Sequence, residues 1–214
     1  MTRKVCFITG SRAEYGLMRK MMRGAINDPL LEFQLIVTGA HLSPDFGLTF
    51  QDIESDGFVI DRKIDVLTKS NSHVAISNSM GKAMIGFGAA FEALQPHIIV
   101  LLGDRFESFS AAAAALIAKI PVAHLHGGEK TEGAFDDAIR NAITKMSHLH
   151  FVAANEYEKR VIQLGENPSR VFNVGGLGVD VISSMSFLTR AQVEENLGLT
   201  FLEKNILVTF HPET

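Results

Sequence analysis

Between positions 98 and 145 the chain reads IIVLLGDRFESFSAAAAALIAKIPVAHLHGGEKTEGAFDDAIRNAITK, and its proton-transferring groups crowd there against apolar runs. Gly103-Asp104-Arg105 sets a carboxylate beside a guanidinium. His124 and His126 stand two apart, with one side chain expected in the core and the other towards a cleft. Gly127-Gly128 is expected to let backbone approach a ligand closely. Asp136 and Arg140 stand four apart with the acid N-terminal, the favourable order for a pair on one helix face. Carboxylates and imidazoles in such loops suit general acid–base chemistry, and arginines suit an anionic ligand. Each feature also has a plainer use. Asp104–Arg105 would serve as a structural ion pair and Asp136–Arg140 as a solvated helix pair. His124 and His126 with nearby acids could instead hold a metal, as in metal-dependent hydrolases. A second pair, His148 and His150, reads as polar residues at a strand start.

The elements that must position these groups recur along the chain. Strand patterns fall at Lys4–Thr9, Phe33–Thr38, Phe58–Ile64, Ile98–Leu102, Val122–Leu125, His150–Ala153, Val171–Val174 and Asn205–Phe210. Runs such as Ile98–Leu102 are apolar throughout, as strands covered on both faces are. Between most of them lie helical patterns. Leu17, Met18, Met21, Met22 and Ala25 make one apolar face, Val74–Leu94 is long and rich in Ala and Met, and Ser108–Lys119 carries a five-Ala run suited to close packing. Asn155 with Glu158, and Thr189 with Gln192, read as N-caps with capping-box partners. Alternating strand and helix predicts an α/β fold, a doubly wound parallel sheet. In such sheets ligands bind beyond the carboxyl ends of the strands, where the polar clusters fall.

A further loop, Thr9-Gly10-Ser11-Arg12-Ala13-Glu14-Tyr15-Gly16, joins the first strand to the first helix. Its backbone N–H groups and Arg12 could receive a phosphate. An ordinary turn with an exposed Arg fits the same residues, and the dinucleotide fingerprint G-x-G-x-x-G is absent. The net charge of −4 gives no general attraction to nucleic acid or anionic membrane. No apolar run approaches the roughly 20 residues of a spanning helix. The single Cys6 excludes an internal disulfide and fits a reducing cytoplasm. At Val208–Thr214 the chain shows a strand followed by a loop bearing His211 and Pro212. Residues 1–185 are therefore expected to form one domain, and 186–214 a linker and the first strand of a second.

GSRAEYG, GDRFES, HLHGGEKTEGAFDDAIRNAITKMSHLHF, YEKRVIQLGENPSRVFNVGGLGVD and FHPET together resemble the hydrolysing UDP-N-acetylglucosamine 2-epimerases of sialic-acid-type sugar biosynthesis, in order and over nearly the whole chain. The resemblance implies the N-terminal half of a GT-B architecture, two Rossmann-like domains with the active site between them. It assigns Asp104 and Asp136 as catalytic carboxylates and His211 as the histidine of the cleft. Arg12 and Arg105 fall at or beside the nucleotide diphosphate, and Arg140 supports the acidic cluster. His126 stands where characterised members often carry a catalytic Glu and other family-like sequences carry His, as a subgroup would, which leaves open the group performing that proton transfer. The implied reaction is elimination of UDP across C1 and C2 to a 2-acetamidoglucal, followed by addition of water at C1 and return of a proton to the other face of C2. UDP and N-acetylmannosamine, or a 2,4-diacetamido relative, would be released. No redox cofactor is implied and no metal is required. The expected partners are a UDP-sugar and further copies of the chain in a homo-oligomer, without nucleic acid or membrane. A metal-dependent hydrolase and a non-catalytic nucleotide-sugar-binding module are the competing readings.

Overall fold

The computed structural model describes residues 2–68, 70, 72–131, 133 and 135–210. Its strands are β1 (Arg3–Thr9), β2 (Leu31–Thr38), β3 (Arg62–Ile64), β4 (Ile98–Leu102), β5 (Val122–Leu125), β6 (Leu149–Val152) and β7 (Val171–Asn173). They form one sheet in the order β3-β2-β1-β4-β5-β6-β7, with every adjacent pair parallel. The helices are α1 (Arg12–Asn27), α2 (Phe50–Ser55), α3 (His73–Leu94), α4 (Phe106–Ile117), α5 (Asp136–Met146), α6 (Asn155–Gln163), α7 (Leu177–Ser184) and α8 (Arg190–Leu197). Strand order reverses between β1 and β4, which opens a crevice at their carboxyl ends.

The side-chain period of two divides the core between the faces of the sheet. Cys6 and Ile8 of β1, Ile36 of β2, Ile99 and Leu101 of β4 and Val122 of β5 pack with Phe87 and Phe91 of α3 and the alanines of α4. Phe7, Leu35, Val37, Val100, Leu102, Ala123 and Leu125 face the other way, onto Tyr15, Met18, Met22 and Ala25 of α1 and Ile53 of α2. The five-Ala run works as its composition predicts. Ala111, Ala112, Ala114 and Ala115 are all buried, and their small bulk brings α4 close to the sheet and to α3. Cys6 is a core residue, and burial pushes its thiol pKa up. No helix among the described residues is long and apolar enough to cross a membrane.

Three local expectations change. Within Phe58–Ile64 only Arg62–Ile64 pairs as a strand; Phe58 plugs the core, and the Asp61 carboxylate accepts from the Leu35 N–H at 2.7 Å. Asn155 does not cap α6. The Tyr157 and Glu158 N–H groups reach the Ala154 carbonyl, so the helix begins one residue earlier than the polar side chain suggests, whereas Thr189 and Gln192 do form a capping box on α8. The Asn205–Phe210 segment joins no strand among the described residues. Its Ile206, Leu207, Val208 and Phe210 are exposed, because strand propensity needs a neighbouring edge to become a strand.

Candidate active site

The loops that follow β1, β4 and β5 leave the sheet at the same end. Where β1 meets α1, Ser11 is the N-cap, and its Oγ accepts from the Glu14 N–H at 3.4 Å. Glu14 returns its carboxylate to the loop: Oε2 accepts from the N–H of Gly10 at 2.6 Å and of Ser11 at 3.1 Å. The backbone donors expected to receive a phosphate are therefore already occupied by this chain's own acid, as S-x-x-E capping boxes do. Arg12 remains exposed at the mouth. Burial, opposed by the Gly10 and Ser11 hydrogen bonds, lifts the Glu14 pKa to about 7.

Gly103, with φ of +77°, turns the chain out of β4. Asp104 and Arg105 then diverge, and the expected pair between them does not form. Arg105 forks onto Glu107, with Nε donating to Oε2 at 3.2 Å and Nη2 to Oε1 at 3.1 Å. Glu107 itself is buried in the first turn of α4. Asp104 instead accepts from Arg140 of α5, which also donates to Thr131 Oγ1 at 3.2 Å. Arg140 thus serves Asp104 rather than Asp136 on its own helix. Burial, with the nearby Asp136 charge, raises the Asp104 pKa above the ordinary carboxylate value despite the opposing Arg140. Arg105 is therefore not the cation that holds Asp104, because its guanidinium is engaged by Glu107.

His124 and His126 part, although residues two apart on a strand would share a face: β5 ends at Leu125 and the left-handed turn at His126 redirects its side chain. His124 is fully buried; its Nε2 lies 2.7 Å from the Gly103 carbonyl and its Nδ1 3.2 Å from Thr144 Oγ1. A carbonyl can only accept, so Nε2 carries the proton and Nδ1 accepts from the threonine. Burial lowers the His124 pKa to about 4, keeping the ring neutral. Both nitrogens are thus committed to holding the β4 loop against α5, which removes His124 from any metal-binding pair. His126 lies beyond β5 in the left-handed region at φ of +62°, with Nδ1 2.7 Å from Glu129 Oε1. Burial alone would raise the Glu129 pKa, but the hydrogen bond and charge of His126, with Arg140, bring it below the ordinary value. The glycines beside it are also required by packing. A Cβ on Gly128, whose φ is +77°, would lie 2.4 Å from the Tyr157 carbonyl oxygen, and one on Gly127 3.2 Å from His124 Nδ1.

The loops line up as a cationic wall followed by an acidic one. Arg12 and Arg105, from the ends of β1 and β4, line a cleft of about 750 Å³ together with Ser11, Thr49 and Ser79. Beyond Arg105 come Asp104 with Arg140, the half-buried Asp136 at the start of α5, and His126 with Glu129. His211 lies outside the described residues. His148 accepts from the Val122 N–H at 3.3 Å, and His150 meets Glu166 at 3.1 Å, away from this cluster. Sequence reasoning passed over Glu14, His41, Glu107 and Glu129. The capping-box spacing from Ser11 could have flagged Glu14. His41 had no such signal: it is fully buried, with Nε2 3.0 Å from Thr9 Oγ1 and Nδ1 2.8 Å from Thr49 Oγ1, and burial lowers its pKa to about 4. Partly buried acids, an imidazole and two arginines at one crevice equip it for proton transfer beside an anionic leaving group.

Comparison with known proteins agrees with this chemistry. A relative in Campylobacter jejuni named GDP/UDP-N,N'-diacetylbacillosamine 2-epimerase (hydrolyzing) is 45% identical over 212 residues, covering 99% of this chain and 55% of that protein. Polysialic acid biosynthesis protein P7 of Escherichia coli is 42% identical over 212 residues, covering 99% of this chain and 54% of its own length. The chain spans about half the length of the curated relatives it matches. The crystal structure of the UDP-GlcNAc 2-epimerase from Neisseria meningitidis bound to UDP-GlcNAc superposes with a TM-score of 0.74 at 17% identity, over 90% of this chain and 50% of that one. The sheet therefore has the fold of one half of such a GT-B structure. The family profile described as UDP-N-acetylglucosamine 2-epimerase matches residues 25–214, and the chain belongs to that family.

Proposed function

We propose that this chain supplies the N-terminal domain and one catalytic wall of a hydrolysing 2-epimerase acting on a UDP-linked 2-acetamido sugar. Residues 1–185 would form that domain, and 186–214 would lead into a second, in a protein of the relatives' length. Relatives 45% and 38% identical carry diacetylbacillosamine in their names, which favours a 2,4-diacetamido sugar over UDP-N-acetylglucosamine. Asp104, His126, Asp136 and His211 would handle protons at C1 and C2, Arg12 and Arg105 the departing diphosphate, and Arg140 the acidic cluster.

One observation carries this reading. The Asp104 carboxylate is held by a buried arginine at the end of β4, with its pKa raised, one residue from an arginine that lines the cleft. An acid–base group with a pKa brought closer to neutral, next to fixed cations, is what elimination of a nucleoside diphosphate needs. The metal-dependent alternative loses support because His124 has both ring nitrogens engaged.

The deciding experiment supplies a panel of UDP-sugars differing at C4 and C6 to a protein of the relatives' length and measures UDP release and the epimeric product. UDP release with inversion at C2 supports the proposal. Release of UDP with retention at C2, or none from any sugar, overturns it. The 214-residue chain by itself should retain under about a thousandth of that activity, since positioning needs both walls of the cleft.

A further inference from the structure

Two unfavourable features meet at His126. Its backbone sits at φ of +62°, a conformation that residues bearing a Cβ seldom adopt, and its Nε2 is buried without a hydrogen-bond partner among the described residues. The conformation is nonetheless held from several sides. The His126 N–H donates to the Phe151 carbonyl of β6 at 2.9 Å. Gly128 is pressed against Tyr157 of α6, and its carbonyl accepts from Arg160 at 3.2 Å. Strain and unsatisfied polar atoms that a fold over-determines concentrate where a side chain has chemical work.

The other ring nitrogen explains the arrangement. Nδ1 lies 2.7 Å from Glu129 Oε1, three residues on in the same loop. An ionised carboxylate only accepts, so the shared proton belongs to Nδ1, and in the neutral ring Nε2 is left as a bare lone pair. Arg140 of α5 adds a positive charge beside this pair, while the neighbouring His124 ring is kept neutral by burial.

We propose that Glu129 is a positioning residue: it fixes the ring and tautomer of His126 so that Nε2 is the proton acceptor for the substrate. This rests on the reaction proposed above. In the elimination, the C2–H bond breaks and an Nε2–H bond forms. The electron pair left on C2 becomes the C1=C2 double bond as the C1–O bond breaks and its pair departs with the nucleoside diphosphate. The resulting imidazolium keeps its Nδ1–H on Glu129, whose negative charge balances it.

The test combines nitrogen NMR of labelled histidine on this chain with kinetics of Glu129→Gln and Glu129→Asp in a protein of the relatives' length. At neutral pH the neutral His126 ring should show a protonated Nδ1 and a bare Nε2. Glu129→Gln, whose amide can donate to Nδ1, should shift the proton to Nε2 and lower kcat on the order of 10²–10⁴-fold, with KM changed less than about threefold. Glu129→Asp should recover part of kcat. A purely structural Glu129 would leave the tautomer unmoved. A proton on Nε2 in the unaltered chain, or Glu129→Gln turnover within threefold of the parent, overturns the inference. If no UDP-sugar is turned over, the reaction fails while the tautomer measurement still decides the pair. If Glu129→Gln does not fold, Glu129→Asp and the unaltered spectrum decide it.

Discussion

Arg140 grips the Asp104 carboxylate from 36 positions away, while the adjoining Arg105 turns aside to Glu107. The two arginines therefore do different work. One is buried and fixes an acid, whereas the other is anchored by an acid and faces the cleft. Turning Arg105 onto Asp104 instead would displace Arg140 and leave both buried groups, Arg140 and Glu107, without these partners, an arrangement that destabilises by roughly several kcal/mol.

Asp104→Asn in a protein of the relatives' length should lower turnover on the order of 10²–10⁴-fold, the usual effect of losing a positioned acid–base group. UDP affinity should stay nearly constant, because the amide keeps the shape of the carboxyl. Supplied with the glucal intermediate, a variant defective only in elimination should still hydrate it. Near-normal turnover would reduce Asp104 to an ion-pair partner.

Gly128→Ala should destabilise the fold by roughly 2–4 kcal/mol, since the new methyl would meet the Tyr157 carbonyl at a positive φ. Gly127→Ala, whose methyl would sit 3.2 Å from His124 Nδ1 and Thr144 Oγ1, should cost about 1 kcal/mol. Urea unfolding of both variants checks the order. Loss of nucleotide binding with unchanged stability in Gly128→Ala would restore the ligand-approach reading of these glycines.

Glu14 holds its proton more tightly folded than unfolded, with a pKa of about 7 against the ordinary 4.5. Its contribution to stability is therefore fully present below pH 4.5 and is lost as pH rises through about 7. His41 and His124, buried neutral with pKa values near 4, act in the opposite sense: stability is lost as pH falls from their unfolded value towards 4. The parent curve mixes these effects, but its difference from Glu14→Gln isolates the glutamate. Relative to Glu14→Gln, the parent should lose on the order of 3 kcal/mol between about pH 4.5 and 7.5. A difference flat across that range would show that Glu14 remains ionised.

Chelation should leave UDP release essentially unchanged, because His124 spends one nitrogen on the Gly103 carbonyl and the other on Thr144. Activity abolished by EDTA and restored by Zn²⁺ or Mn²⁺ would contradict this and revive the metal-dependent reading.

The sequence by itself determined the layers and the end of the sheet where chemistry belongs. Apolar runs such as Ile98–Leu102, the five-Ala helix and the glycine-bearing loops after the strands are local signals, written within a few residues by propensity and side-chain period. That one of His124 and His126 would be buried was expected, but which one, and their separation, came from the left-handed turn at His126 beyond β5. Only the folded chain decided which charge meets which. Asp104 with Arg140, Arg105 with Glu107, Glu14 filling the donors of its own loop, and Gly128 against the Tyr157 carbonyl each depend on directions that spacing does not encode. Sequence neighbours such as Asp104 and Arg105 leave a strand end pointing apart. Partners on α5 and α6 come within reach because parallel crossovers return the chain to the same edge of the crevice, and which side chains meet there is fixed by packing on the sheet.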